Sequence, residues 1–383
     1  MNSKERVRAA IARQPVDKVP LGFYAVDYDT VERVIGRPTY IRNKINIQLA
    51  LWEGRRDEVA ESLKKDTVEF YRKIDCADII LTKEAQVLPP KDYEPEHPKK
   101  IADDKWQTSD GCIYQAAYDT NEMACIYNPE DEKEYKVEDF EGPVDVEPVD
   151  DTVFEVFDYV VQQLGDERYM AGPTGGITVL NLLGGSCGFS QRSLMMYILE
   201  PEVVRASSSR SVAVQNALDK YYIRPGIDGV LVEQDMAGTN APLVSPRMFG
   251  EMCFPYLKER ITKIKKAAGQ VILHNCGNNI PIMDMLIETG IDCYQSLQTT
   301  AGMEVGRLKQ LYGDKLSFWG GVSVEKLIDG TVADVRQEVR RAMERGAPGG
   351  GFILGPSHSI AKNTKYDNFM AMLDEFVALR DKF

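Results

Sequence analysis

Histidine is scarce in this sequence, with only three among 383 residues, at positions 97, 274 and 358. Long apolar runs are missing as well. No stretch approaches the roughly 18 consecutive apolar residues that a membrane helix requires, so a membrane-spanning protein is not expected. The first residues have no apolar core behind their charges, which argues against a secretory signal. We therefore expect a cytoplasmic protein in which the position of each histidine is informative.

Positive charge is also in short supply. Lysine and arginine total 46 against 59 aspartate and glutamate residues, a formal net charge of −13. Such a surface repels polyphosphates, so nucleic-acid binding is not expected. Neither a G-x-G-x-x-G nor a Walker sequence occurs, so nothing indicates a nucleotide cofactor. The seven cysteines are odd in number and widely scattered, which predicts reduced thiols rather than a disulfide framework.

What the sequence does contain is a repeated alternation of short apolar runs with longer amphipathic stretches. Nearly all-apolar strands that alternate with helices predict a parallel sheet covered on both faces. Eight such runs predict an α/β fold, a single (β/α)8 TIM barrel spanning residues 1–383, with an open doubly wound sheet as the alternative. The predicted strands are residues 19–23, 78–81, 169–172, 229–232, 271–273, 292–297, 316–319 and 351–354. The clearest helical patterns cover residues 245–269, 278–290, 303–312, 332–345 and 365–383.

One region interrupts this alternation. Residues 87–150 are rich in Pro, Asp, Glu and Lys, and an aromatic stretch with Trp106, Gly111 and Tyr114 is typical of a hairpin. We predict that residues 87–150 form an inserted excursion after strand two. The insertion would pack over the barrel as a flap or mediate a homodimer contact.

Polar residues of the kind that bind ligands follow the later predicted strands. Glu233 and Asp235 end strand four, His274 ends strand five, Gln298 follows strand six, and His358 follows strand eight. In (β/α)8 barrels the catalytic groups lie where strands end and βα loops begin. We therefore expect an active site at this end of the barrel.

The strongest local signal is His274-Asn275-Cys276. Residues i and i+2 of a strand point to the same side, so the imidazole of His274 and the thiol of Cys276 can converge on one ion. Zn²⁺ is the natural occupant of a mixed nitrogen and sulfur site. The alternative is an ordinary buried histidine beside a small core cysteine.

A catalytic zinc usually takes three protein ligands and one open position. His358 is the first choice for the third ligand, and Glu233 is the second. Glu233 and Asp235 are otherwise the candidate catalytic carboxylates, which would position the substrate.

Three further residues are candidate substrate contacts. Tyr24 and Trp319 provide aromatic rings for an apolar pocket, although each could equally belong to the core. Gln298 follows the strand next to strand five and could bind substrate or orient a metal ligand.

Several motifs occur in one order along the chain: PVDKVP at 15–20, Ser245-Pro246 with Phe254-Pro255, HNCGN at 274–278, WGGV at 319–322 and GGGFILGPSH at 349–358. This series resembles the uroporphyrinogen decarboxylase-like superfamily over nearly the whole chain. The resemblance implies a (β/α)8 barrel. The superfamily includes the tetrapyrrole decarboxylase and zinc-dependent methyltransferases that exchange methyl groups with a corrinoid protein.

The segment after strand one separates these two branches. The decarboxylase has an R-Q-A-G-R-Y-type sequence there, and its arginines hold the substrate carboxylates. Residues 22–28 of this chain contain no arginine, so nothing evident neutralises a substrate with many carboxylates. The resemblance therefore implies the methyltransferase branch, which carries the H-x-C metal motif.

His358 stands where the thiol-methylating members of that branch have a cysteine. Exchanging a thiolate for a neutral imidazole removes a negative charge and leaves a harder Lewis acid. The resemblance then implies an O-demethylase type of methyltransferase, with Zn²⁺ as cofactor. It would move a methyl group from a small methoxylated compound, aromatic in our leading interpretation, to the cobalt of a corrinoid protein. No corrinoid-binding module is visible, so the corrinoid would arrive on a partner protein.

Three alternatives stay open. One is a uroporphyrinogen decarboxylase-like lyase acting on a smaller polycarboxylate, which would work without metal. Another is a methylcorrinoid:thiol methyltransferase, which runs the methyl transfer in the other direction. The third is a binding or scaffolding barrel without catalysis, in which the mouth would hold neither metal nor ligand.

Overall fold

The computed structural model describes residues 1–81, 88–177 and 191–383. The strands of these residues are β1 (Ile79–Leu81), β2 (Lys99–Ala102), β3 (Lys105–Gln107), β4 (Ile113–Ala117), β5 (Glu122–Tyr127), β6 (Tyr169–Gly172), β7 (Gly229–Glu233), β8 (Gln270–His274), β9 (Cys293–Gln295), β10 (Ser317–Val322) and β11 (Phe352–Pro356). The helices are α1 (Ser3–Ile11), α2 (Tyr28–Ile35), α3 (Lys44–Trp52), α4 (Arg56–Lys73), α5 (Glu155–Leu164), α6 (Gln191–Leu199), α7 (Pro201–Tyr222), α8 (Pro246–Met252), α9 (Phe254–Ala268), α10 (Met283–Glu288), α11 (Val305–Tyr312), α12 (Val324–Ile328), α13 (Val332–Gly346) and α14 (Tyr366–Leu379).

Seven strands form one curled parallel sheet in the order β1-β6-β7-β8-β9-β10-β11. The segment around Leu21 lies between the two edge strands, because Leu21 bridges to Leu354 of β11 and Gly22 bridges to Ile79 of β1, both in parallel orientation. The N–H of Gly22 donates to the carbonyl of Leu354 at 3.0 Å. The α/β architecture and the curled parallel sheet agree with the predicted TIM-like fold.

Seven of the eight predicted strand segments overlap an observed strand, and the first, residues 19–23, contributes the two bridges instead. One helical prediction was wrong in form. Residues 245–269 make two helices, α8 and α9, which part at Cys253. Pro255 lies in the first turn of α9, where its missing N–H is tolerated, whereas a continuous helix would lose a hydrogen bond there.

The interior of the curled sheet is filled from alternate strand positions. Leu231, Ile272 and Cys293 pair in register on β7, β8 and β9, and all three belong to one buried apolar cluster. Val7 and Ile11 of α1 pack into the same cluster. Because side chains alternate along a strand, the residues two positions further on must form the next inward level.

The strands β2 to β5 form a second, antiparallel sheet that comes between β1 and β6 in the sequence. Trp106 pairs with Tyr114, which confirms the hairpin predicted there, and Trp106 packs against Trp52 of α3. In the turn before β5, the side-chain amide of Asn121 donates to the carbonyl of Arg42 at 2.6 Å. This sheet falls within the predicted excursion 87–150, whose first residue lies outside the described residues. The role of that segment as a flap or dimer contact stays a prediction.

No helix in residues 1–81, 88–177 and 191–383 combines the length and the apolar character that crossing a membrane demands.

Candidate metal centre

Four side chains stand at one level where the central strands end. The register pairs Glu233 of β7 with His274 of β8, His274 with Gln295 of β9, and Gln295 with Trp319 of β10. This level lies two residues beyond that of Leu231, so the alternation that fills the apolar core also directs these side chains inward. Three of the four, Glu233, His274 and Gln295, are polar, and they cover the core at the end where the βα loops begin.

The loop after β8 holds Cys276. Its backbone N–H donates to Oδ1 of Asp235 at 2.7 Å, and its Sγ lies 3.4 Å from Oγ of Ser296. Gly277 follows with a φ of +81°, and a Cβ there would lie 2.3 Å from the carbonyl oxygen of Ala237, so this turn requires glycine. Burial, with a smaller effect from the Asp235 carboxylate, raises the pKa of the Cys276 thiol to about 12.

The imidazole of His274 is fixed on two sides. It is 1% exposed and lies against the ring of Tyr24, with ring centroids 3.9 Å apart and planes 15° apart. Its Nδ1 contacts Oε1 of Gln295, and its Nε2 lies 3.4 Å from Sγ of Cys276. The ring thus presents Nε2 toward the thiol while Nδ1 is already engaged.

The loop after β11 brings His358 to the same place. Its ring centroid lies 5.8 Å from that of His274, and its Nδ1 lies 2.8 Å from Oγ of Ser359. Burial lowers the pKa of His358 from its ordinary value of 6.5, against an opposing effect of the Asp235 carboxylate. The imidazole is therefore neutral near pH 7, which is the form that binds metal ions.

The ligand atoms of His274, Cys276 and His358 all lie within 4.8 Å of one another. Zinc–nitrogen bonds of about 2.0 Å and zinc–sulfur bonds of about 2.3 Å in a tetrahedron put neighbouring donors about 3.5 Å apart. The separation of 3.4 Å between Nε2 of His274 and Sγ of Cys276 matches that value. Two nitrogens and one sulfur also make a donor set that zinc accepts with one position left open. The group could therefore hold a metal ion and is compatible with zinc.

A family model described as uroporphyrinogen decarboxylase (URO-D) matches residues 118–378, which is more than half of the chain. The chain belongs to the URO-D family. A solved structure, a methyltransferase from Methanosarcina mazei, has the same fold with a TM-score of 0.63 and 17% sequence identity, over 99% of both chains. No curated protein matches the sequence. The superfamily resemblance drawn from the motifs is thereby confirmed, and the range matched to the URO-D family contains all three residues of the candidate centre.

Two predicted carboxylates of this URO-D family member lie beside the group without joining it. Glu233 is half-buried and is the register neighbour of His274. Asp235 is half-buried as well, and its Oδ1 is engaged by the backbone of Cys276. Within the described residues, neither contributes to the convergent set of ligand atoms. Their catalytic roles stay predictions.

The predicted substrate contacts are placed differently from one another. Tyr24 covers one face of His274 and is 5% exposed. Gln298 is half-buried in the loop after β9, where its Oε1 accepts from the N–H of Gly277 at 2.9 Å. Trp319 has no exposed surface and packs in the interior cluster, and its indole N–H donates to the carbonyl of Gly22 at 3.1 Å. Tyr24 and Gln298 therefore adjoin the metal group, whereas Trp319 lies in the buried core next to Gln295.

Sequence reasoning missed the buried polar residues that hold the group together. The side-chain amide of Asn279 donates to the carbonyl of Cys276 at 2.7 Å, and the hydroxyl of Tyr294 donates to the carbonyl of Asn275 at 2.6 Å. Gln295 was missed as well, although a glutamine within an otherwise apolar strand was a usable signal. Its position in register with His274 becomes apparent only once the strands are paired.

Proposed function

We propose that this chain is a zinc-dependent methyltransferase that moves a methyl group from a small methoxylated compound to the cobalt of a corrinoid protein. His274, Cys276 and His358 would hold the metal. The convergence of their ligand atoms at the strand ends carries the proposal, because a decarboxylase that stabilises charge with cations has no use for such a set. A fold shared with a protein described as a methyltransferase supports the reaction class.

The reaction breaks the bond between the methyl carbon and the donor oxygen and forms a carbon–cobalt bond. Cobalt(I) supplies the electron pair of the new bond, and the pair of the broken bond stays on the oxygen, which leaves as an alkoxide or phenolate. Bound Zn²⁺ would supply Lewis acidity that stabilises this negative charge. The task of the chain is to hold the donor so that its methyl group faces the incoming cobalt.

The choice of ligands suits a poor leaving group. With His358 as the third ligand, the only charged ligand would be the thiolate of Cys276, because an imidazole binds a metal ion in its neutral form. A set with two thiolates would carry one more negative charge and would give a weaker Lewis acid. We infer that this difference favours removal of a methyl group from oxygen over methylation of a thiol.

The neighbouring side chains would position the donor. Glu233 stands beside His274, and Asp235 beside Cys276, so a hydroxyl or amide on the donor would find an acceptor at either carboxylate. Tyr24 offers an aromatic ring beside His274, and Gln298 offers a polar edge beside Gly277. Trp319 would shape the buried wall behind them. These aromatic and polar side chains would favour an aromatic donor, such as a methoxyarene, over other methoxylated compounds.

We also propose a closed barrel with an insertion, a separate corrinoid protein as partner, and a homodimer. We take residues 19–23 as the eighth strand of a closed barrel, which the bridges of Leu21 and Gly22 support, and residues 87–150 as an insertion in it. The cobalt would arrive on a separate corrinoid protein in the cytoplasm. A homodimer would use the insertion.

The test is a product assay with purified, zinc-loaded protein. Methoxyarenes are incubated with cob(I)alamin, and methylcobalamin is followed by its absorbance while the demethylated phenol is quantified. We expect both products in equal amounts. Methylcobalamin consumption in the presence of a thiol, with no reaction of any methoxyarene, would instead identify the thiol methyltransferase.

The name of the family favours a second candidate, a decarboxylase of a polycarboxylate. It predicts release of carbon dioxide from uroporphyrinogen or a smaller polycarboxylate, at a rate that a chelator does not change. That result, together with no methyl transfer, would overturn the methyltransferase proposal.

A further inference from the structure

Gln295 is a fully buried amide beside His274 of the candidate metal site. It ends β9 and pairs in register with His274. Its Oε1 contacts Nδ1 of His274, whereas its Nε2 has no hydrogen-bond partner within the described residues. A buried polar nitrogen left in this state is uncommon and calls for an explanation. The oxygen of the Gln295 amide contacts the imidazole, and the nitrogen of the same amide is thereby left facing no partner among the described residues.

The orientation of this amide has a consequence for the histidine ring. An amide oxygen can only accept a hydrogen bond, so the neutral imidazole must carry its proton on Nδ1. The lone pair is then on Nε2, the atom that lies 3.4 Å from Sγ of Cys276. If the amide were turned round, its N–H would donate to Nδ1 and the proton would sit on Nε2. That tautomer could not bind a metal through Nε2.

Tyr24 restrains the same ring in another way. Its ring stacks on His274 with planes only 15° apart, which resists tilting of the imidazole but does not choose a tautomer. The choice rests on the group that faces Nδ1, and within the described residues that group is the Gln295 amide.

We propose that Gln295 is a positioning residue that fixes His274 in the Nδ1–H tautomer and so prepares Nε2 as a metal ligand before any ion binds. The role rests on the metal site of the proposed function, but it acts in the metal-free chain. The Nε2 of Gln295 has no partner among the described residues because its oxygen is held toward the imidazole.

The first test reads the tautomer directly in metal-free protein. With ¹⁵N-labelled histidine the chain gives only three imidazoles, and the signals of His274 are assigned from a His274→Gln variant. Two-bond ¹H–¹⁵N spectra should show His274 protonated on Nδ1 in the wild type, a mixture of tautomers in Gln295→Met, and the wild-type form in Gln295→Glu, which keeps an acceptor oxygen. Protonation on Nε2 in the wild type, or an unchanged tautomer in Gln295→Met, would overturn the proposal.

The second test measures zinc affinity by competition with a chelator. Loss of a group that orients a metal-binding histidine typically weakens metal affinity by about 10- to 100-fold, and we expect that loss in Gln295→Met but not in Gln295→Glu. Gln215→Met is the matched control, because Gln215 is a buried glutamine on α7 whose side chain bonds to Ser211 of the same helix. Unchanged affinity in Gln295→Met would refute the inference.

The two tests separate this inference from the proposed function. A wild type that binds no zinc but shows His274 protonated on Nδ1 would remove the metal site while leaving the tautomer control in place. If Gln295→Met does not fold, as judged by circular dichroism, the tautomer of the wild type and of Gln295→Glu still decides the matter.

Discussion

The two ends of the curled sheet use polar side chains in different ways. At the amino end, Asp78 accepts hydrogen bonds from Ser3, Arg6, Arg380 and the N–H of Leu21, at 2.6 to 3.0 Å. These donors come from α1, from the segment beside the edge strands and from the chain after α14. One buried carboxylate therefore ties together distant parts of the chain.

At the carboxyl end most of the buried polar side chains are uncharged residue types such as Asn, Gln and Ser. Three side chains there bring potential ligand atoms within 4.8 Å of one another. His274, Cys276 and His358 converge there, and the nitrogen of the Gln295 amide has no partner within the described residues. The charged groups at the amino end pair with one another, whereas the carboxyl end brings three potential metal-ligand atoms together. In barrels of this kind one end usually stabilises the fold while the catalytic groups lie at the carboxyl end, and we propose the same division here.

The largest effect is expected when a proposed metal ligand at the carboxyl end is removed. His274→Ala and Cys276→Ser should each lose about one zinc per chain, because two remaining ligands are too few to close a zinc site. Both variants should keep the wild-type circular dichroism spectrum. Elemental analysis measures the zinc content. His97→Ala is the control, because His97 is an exposed histidine that is distant in sequence from the proposed ligands. Full zinc content in both ligand variants would put the metal elsewhere.

A change at the amino end should have the opposite outcome. Asp78→Ala leaves the buried guanidinium groups of Arg6 and Arg380 without a shared acceptor, and breaking such a pair typically costs about 3–5 kcal/mol. Urea titration should show that loss in the free energy of unfolding, while the protein that stays folded binds zinc as before.

Asp17→Ala is the matched control for Asp78→Ala. Asp17 also pairs with Arg6, but its side chain is 37% exposed, so we expect a loss of no more than about 1 kcal/mol. Equal losses in the two variants would mean that the Asp78 network does not hold the amino end together.

Substitutions of His358 test whether the third ligand sets the Lewis acidity of the bound zinc. His358→Cys should keep zinc but transfer methyl more slowly, because a second thiolate weakens the Lewis acid. Across methoxyarenes of varied phenol acidity, its rates should depend more steeply on that acidity than those of the wild type. His358→Ala should lose both zinc and activity. Equal slopes would contradict the electrostatic reason for a histidine here, and wild-type zinc in His358→Ala would return Glu233 to consideration as third ligand.

A smaller effect on zinc binding is expected at Asp235 than at the metal ligands. Asp235→Ala removes the acceptor for the backbone N–H of Cys276, and loss of such support typically weakens metal affinity by about tenfold. Asp235→Asn keeps an acceptor oxygen and should lie closer to the wild type. The measurement is zinc competition with a chelator, and equal affinities for all three proteins would mean that Asp235 does not support Cys276.

Much of the fold was predictable because its signals are local. Buried parallel strands are short apolar runs, and seven of them can be found in the sequence before their pairing is known. The break between α8 and α9 was missed because helical periodicity continues across it, although Pro255 marks the place. The four strands of the antiparallel sheet were harder, because their exposed residues lack the apolar pattern of the central strands.

The candidate site was predictable where chemistry and spacing coincide in the sequence. His274 and Cys276 are two residues apart at a strand end, which suffices to bring them together. His358 required the order of the strands, since it comes 82 residues after Cys276. Gln295 required the register, because only pairing with His274 gives it a role. Trp319 was predicted either to contact substrate or to belong to the core, because the sequence does not show how the level above a strand residue is filled.

The most direct test of the central claim is to titrate zinc into metal-free wild-type protein and to measure, at each step, methyl transfer from a methoxyarene to cob(I)alamin. We predict that the rate rises in proportion to the zinc bound and stops rising at about one zinc per chain, the number that one three-ligand group can hold. His274→Ala, titrated in parallel, should stay inactive throughout. Methyl transfer at full rate in the metal-free protein, or a rate unrelated to bound zinc, would contradict the account.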